Sequence, residues 1–172
     1  KGRLIAGFDL NSDRINMVIV DELGVIRGVK TERFPEVTSP GFPRGKANTL
    51  RLRALAKLLD YAYYHGVGIV VFEDLERIKK RRYTRSKSAN RKITRFPKRR
   101  LLERGVVMAM KYGFKVYLAN PACTSKLGER LGKPLGLDKH TASAYILAVR
   151  AFTQVSKVTQ VLKQVNSLSR VN

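Results

Sequence analysis

Asp9, Glu73 and Asp138 each stand at the boundary of an apolar run. Asp9 closes LIAGFD, Glu73 closes VGIVVFE, and Asp138 comes just before HTASAYILAVRAF. The first two runs read as buried β-strands, so Asp9 and Glu73 are expected at strand ends. An ionised carboxylate loses its hydration on burial, and a divalent metal ion removes that penalty. Three carboxylates around hard cations make a site for phosphodiester chemistry. A carboxylate at a strand end is also commonly just solvated, and for Asp9 taken alone that is the simpler reading. Asp21 at the end of the second run and Asp74 after Glu73 read as structural or solvated, and Asp13 as a turn residue.

The composition says what such a site would act on. The 172 residues suggest one domain with a full core. They carry 35 Lys+Arg against 13 Asp+Glu, a formal net charge of +22. Folding does not need this excess, and self-repulsion opposes compactness, so it implies a polyanionic partner. Nucleic acid is favoured over a membrane surface, because the chain shows no basic amphipathic helix with a strong apolar face and no run able to span a bilayer. The single Cys123 excludes an internal disulfide and any multi-cysteine zinc site. A reducing cytoplasm is the expected compartment. The N-terminus enters a strand directly with no signal peptide, and a start at Lys1 without Met suggests a fragment or a trimmed terminus.

The elements that must position the acids follow from periodicity. Residues 3–10, 14–21 and 25–34 read as three antiparallel strands joined by short turns. Residues 35–47, rich in Pro and Gly, read as a loop. Asn48 can cap a helix running to about His65, with Gly66 as its stop and Leu52, Leu55, Ala56, Leu59 and Ala62 on one face. A strand at 67–73, a helix from near Pro97 to Gly113, a strand at 114–119 and a helix from about His140 to Phe152 follow. The order β-β-β-α-β-α-β-α gives a mixed five-stranded sheet with helices packed on it, an α/β architecture of the RNase H-like type. Parallel strands of such a sheet bring their C-terminal ends to one crevice.

Four segments in order resemble the TnpB/OrfB-type transposon-encoded proteins, relatives of the type V CRISPR effectors. GFDLNSDRINMVIVDELGVI is similar to the first RuvC motif of that family and VVFEDLERIK to the second. ANPACTSK resembles its NP-x-x-TSK segment, and GLDKHTASAYILAVRA its third motif, an Asp before an Ala-rich helix. The resemblance implies a RuvC-like endonuclease that hydrolyses DNA by two-metal catalysis and is guided by RNA. It puts the catalytic metal ligands at Asp9, Glu73 and Asp138, with Asp9 bridging two ions and the others each completing one. Oxygen ligands suit Mg²⁺ or Mn²⁺ better than zinc. The family's four-cysteine ribbon has no counterpart in LGERLGKPLGL, residues 127–137, so no zinc is expected. The family's N-terminal nucleic-acid-binding region finds no match in this sequence, so the protein is expected either to continue upstream of Lys1 or to be a compact relative. The domain reading is therefore a nuclease domain over 1–155 with a basic insertion at 76–100, and a tail or helix extension over 156–172.

Residues 77–104 hold 14 Lys+Arg and one acid, Glu103. Within them Lys79, Lys80, Arg81, Arg82, Arg85, Arg91, Lys92, Arg95, Lys98, Arg99 and Arg100 are expected to hold phosphates beside the acids. Tyr83 and Phe96 offer rings for base stacking. The plain alternative is a solvated basic run, which can also order on binding. Lys126 could contact a phosphate, and Asn120 and Ser125 offer donors close after the last strand; a polar loop explains them equally well. His140 could hydrogen-bond a phosphate or a water of the metal site, although a His in a first helical turn is more commonly a surface residue. Two further readings stay open: a RuvC-like domain that binds nucleic acid without cutting it, and a dimeric Holliday-junction resolvase-type nuclease.

Overall fold

Apolar runs over Leu4–Leu10 (β1) and Arg14–Val20 (β2) build two neighbouring strands, and Ile26–Arg33 (β3) completes an antiparallel meander. The computed structural model describes residues 4–74, 85–86, 96–120 and 124–152, apart from the side chain of Ser125. Helix α1 spans Arg44–Tyr64, strand β4 Val67–Glu73, helix α2 Lys98–Lys111, strand β5 Lys115–Ala119 and helix α3 Thr124–Gly132. A last helix, α4, covers residues 139–152. The sheet order is β3-β2-β1-β4-β5, with β4 parallel to both β1 and β5. This is the mixed five-stranded sheet that the order of elements predicts.

Strand alternation sends side chains to two cores. Ala6, Phe8 and Leu10, with Ile15, Met17, Ile19, Val70 and Phe72, pack against Leu55, Leu58 and Leu59 of α1 and Leu101 of α2. On the opposite face Ile5, Val18, Val20 and Val71 pack against Ala144, Leu147, Ala148 and Ala151 of α4. The sheet is thus sandwiched between layers of helix. Small residues let α4 come close. A Cβ on Gly7 would stand 2.1 Å from the Ala144 carbonyl oxygen, so only glycine admits the helix backbone at that point of β1.

Three local expectations are corrected. Residues 35–47 are only partly loop: Pro35–Thr38 forms a 3₁₀ turn, and α1 already starts at Arg44. Asn48 therefore lies inside α1, and Pro43 takes the cap position without a side-chain hydrogen bond. Pro43 is extended, with φ −62° and ψ 130°, and the chain turns into the helix directly after it. The stretch after the fifth strand contains α3, which the periodicity did not reveal. Gly66 does end α1, with a φ of +71° that suits glycine. Leu55, Leu59 and Ala62 are buried as expected, while Leu52 and Ala56 lie at the flank of the buried face. The basic run enters α2 at Lys98. The tail from 153 onward lies outside the described residues.

Candidate functional site

β1 and β4 are neighbours in parallel, with Gly7 level with Val71. Two residues further along each strand stand Asp9 and Glu73, on the same face as Val71, the face that α4 covers. The sheet therefore carries both acids to one edge. Gly7 seats α4 over that edge, so the residues at the start of α4 arrive beside Asp9.

Asp9 is only 6% exposed. Asn11 donates its side-chain amide to Asp9 Oδ2 at 2.7 Å, and His140 Nδ1 lies 3.2 Å from the same oxygen. A carboxylate only accepts, so the imidazole donates. This bond raises the His140 imidazole above its ordinary range, against the opposing effect of burial. His140 thus meets Asp9 from a side chain that stays 39% exposed, a surface residue in contact with the buried acid. Its position two residues after Asp138 was the signal in the sequence.

Asp138 directly precedes α4 and caps it. Its Oδ1 accepts the His140 amide at 2.9 Å and the Thr141 amide at 3.3 Å, and its Oδ2 accepts the Thr141 hydroxyl. Desolvation would raise the Asp138 carboxyl, but the Thr141 hydroxyl and these amides outweigh it and hold the carboxyl below its usual range. Asn16, directly across from Asp9 on β2, joins the cluster. Its amide donates to Thr31 Oγ1 at 2.9 Å and to Thr141 Oγ1 at 3.0 Å. Its Oδ1 is buried without a partner among the described residues. Asn16 and Thr141 escaped the sequence reading. An amide on the inward face of an otherwise apolar strand was the available hint, since buried polar groups cost unless partnered.

Glu73 receives an ion pair from Lys98 at the first residue of α2. The end of β4 and the first residue of α2, late in the basic run, are therefore joined by a charge pair. Arg99 pairs with Glu103, and Arg100 is exposed on the same turn. Arg85 is exposed, whereas Lys79, Lys80, Arg81, Arg82, Arg91, Lys92 and Arg95 lie outside the described residues. Behind the fifth strand, Arg150 of α4 donates to the Asn120 carbonyl and to Thr124 Oγ1, which pins the start of α3 to α4. Lys126 is exposed on α3. Asp21 serves a turn, accepting the amides of Leu23 and Val25 and pairing with Arg27.

The structure thus brings His140 to Asp9, Lys98 to Glu73 and Asp138 to the head of α4. Among the described residues no group of three or more His, Cys, Asp or Glu side chains stands close enough to hold a metal ion. The donor chemistry nevertheless fits a hard divalent cation, because all three acids offer carboxylate oxygens at or beside one sheet edge. A cationic or amide partner now occupies each of them. An ion entering there would take over the charge compensation that Lys98 supplies to Glu73.

No family model matches the chain. An uncharacterized protein of Saccharolobus solfataricus is 46% identical over 157 residues, covering 90% of this chain and 42% of that protein. An uncharacterized protein of Aeropyrum pernix is 29% identical over 168 residues, covering 93% of this chain and 45% of its own length. The chain thus spans less than half the length of these relatives. Among solved structures, Thermus thermophilus RuvC in complex with a Holliday junction substrate superposes with a TM-score of 0.58 at 18% identity, covering 90% of this chain and 96% of that one. A Cas12f1–sgRNA–target DNA complex gives a TM-score of 0.56 at 13% identity, covering 84% and 49%. The fold is that of RuvC, an RNase H-like fold. Among the described residues no helix is long and apolar enough to cross a membrane.

Proposed function

We propose that this chain is a RuvC-like nuclease domain that hydrolyses phosphodiester bonds of nucleic acid with Mg²⁺ or Mn²⁺ held by Asp9, Glu73 and Asp138. The observation that carries this reading is the edge itself. Buried Asp9 and half-buried Glu73 lie on neighbouring parallel strands, with the His140 side chain at the start of α4 reaching Asp9. Two bound ions would activate the attacking water and stabilise the leaving 3′ oxygen. The chain's own residues prepare the site for that. Asn11 and His140 fix the Asp9 carboxylate in orientation, and Thr141 with two amides keeps Asp138 ionised. Lys98 holds Glu73 until a phosphate or an ion competes for it. The net charge of +22 concentrates the polyanion around them.

The resemblance to TnpB-type proteins supports DNA as the substrate, a guide or structured RNA as partner, and a role within a longer transposon-associated protein. The nuclease domain then covers 1–155 with its basic insertion at 76–100. A second reading, a dimeric junction resolvase, draws on the nearly complete mutual coverage with RuvC. Cleavage confined to four-way junctions by a stable dimer would favour it.

Calorimetry with Mn²⁺ separates a cutting domain from one that only binds. The nuclease reading expects metal uptake that falls at least about tenfold in affinity in Asp138→Asn. Uptake unchanged by that substitution, or no uptake at all, contradicts it.

A further inference from the structure

Between α1 and the start of α2 lies a cleft of about 380 Å³ whose walls carry Arg51, Arg100 and Arg104. Leu52, Leu101 and Pro97 supply its apolar surface, and Asn48 a polar rim. Arg51 is 2% exposed. Its guanidinium donates from Nε and Nη2 to the Ser12 carbonyl at 3.3 and 3.0 Å and lies 5.5 Å from the centre of the Phe96 ring. Among the described residues it meets no carboxylate, and burial lowers its pKa below the usual value. Arg100 and Arg104 are exposed and have no acid partner there either, because the neighbouring Glu103 pairs with Arg99. A buried guanidinium without a counter-charge is costly, and an anion in the cleft would offset that cost.

The cleft adjoins the carboxylate edge through two elements. The β1–β2 turn gives Asn11 to Asp9 and the Ser12 carbonyl to Arg51. The first turn of α2 gives Lys98 to Glu73 and Arg100 to the cleft. The acids and the cleft are thus linked through the β1–β2 turn and the first turn of α2.

We infer that the Arg51–Arg100–Arg104 cleft binds a backbone phosphate of a nucleic-acid strand and so anchors that strand next to the carboxylate edge. The inference rests on the nuclease reading only for the identity of the edge, since binding by the cleft requires no cleavage. Guanidiniums suit the role because their planar forks pair with phosphate oxygens in a bidentate manner. The apolar wall of Leu52, Leu101 and Pro97 can shelter the adjoining sugar or base.

The test measures binding of a fluorescein-labelled single-stranded oligonucleotide by anisotropy across a salt series, with chelator present so that no cutting occurs. Arg51 is left intact, because substituting so buried a residue could unfold the chain. Arg100→Gln/Arg104→Gln should weaken binding about tenfold or more and lower the slope of log affinity against log salt by about 0.7–1.4. The charge-matched Arg53→Gln/Lys115→Gln should change affinity by less than about threefold. Equal losses in the two variants overturn the cleft in favour of diffuse electrostatics. Displacement of the strand by micromolar mononucleotide overturns it in favour of a free-nucleotide site. If the double variant loses binding while the wild-type protein cuts nothing under any metal, the nuclease reading fails and the cleft stands. If the wild type cuts and the double variant binds like the control, the cleft fails alone.

Discussion

His140 Nδ1 stands 3.2 Å from Asp9 Oδ2 although 131 positions separate the two residues. The contact ties the head of α4 to the end of β1 and orients the carboxylate that the proposed chemistry depends on most. Partners of this kind matter through the ligand that they hold. His140→Ala should therefore lower single-turnover cleavage about 10–100-fold. Oligonucleotide affinity should stay within about threefold, since the charge of the basic surface is left in place. Rates equal to wild type would show that Asp9 needs no such support.

The approach of α4 to the sheet depends on Gly7. In Gly7→Ala the new Cβ would overlap the Ala144 carbonyl oxygen, at 2.1 Å in the present geometry. The helix must then shift outward. Denaturant unfolding should show a loss of about 2 kcal/mol or more, and the shift should carry His140 off Asp9, so activity falls as well. A change below about 0.5 kcal/mol, the range of ordinary surface substitutions, would mean that the helix is not seated as described.

Lys98 and Glu73 make a largely buried ion pair. Lys98→Met removes the cation and leaves the Glu73 carboxylate without its partner. In the absence of metal the variant should lose about 1.5–3 kcal/mol. Mn²⁺ should then raise its melting temperature by more than it raises that of the wild type, because the ion no longer competes with an ammonium. An equal rise in both proteins would place the ion elsewhere.

Away from the edge, Tyr112 donates its hydroxyl to Asp60. That hydrogen bond is the main reason why its pKa is pushed up to about 12, with burial and the Asp60 charge adding to it. A raised phenol pKa favours the protonated, folded state. Its contribution to stability is complete below about pH 10, the unperturbed value, and is lost as pH climbs towards 12. Asp60→Asn should bring the tyrosine titration, followed by ultraviolet absorbance, back towards pH 10. A titration that stays near 12 would contradict the assignment.

Much of the fold was legible in the chain, for physical reasons that can be named. β2 alternates through Ile15, Met17 and Ile19, and the runs ending at Asp9 and Glu73 are near-continuously apolar, the pattern of strands buried on both faces. That the two acids would share an edge followed from parallel neighbours. The start of α1 was misplaced because Asn48 is a good cap by type, whereas the chain turns earlier at Pro43. Helix α3 was missed because it contains Gly128 and Gly132, residues that read as breakers. A Cβ on Gly128 would come within 3.0 Å of the Lys139 carbonyl, and one on Gly132 within 2.7 Å of the Leu137 carbonyl. These glycines serve the close packing of α3 against the segment that carries Asp138. Asn16, Thr141 and the role of Arg51 were invisible because each depends on a partner distant in sequence, which no local pattern announces.

The most direct measurement of the central claim is metal-dependent cleavage. The purified protein, with any nucleic acid that accompanies it, would be incubated with labelled single-stranded, double-stranded and four-way DNA in Mg²⁺ or Mn²⁺. Cutting that is abolished by chelator and falls at least about a thousandfold in each of Asp9→Asn, Glu73→Gln and Asp138→Asn is the predicted result. Cutting by Asp9→Asn at the wild-type rate, or no cutting of any of these substrates by the wild type, would contradict it.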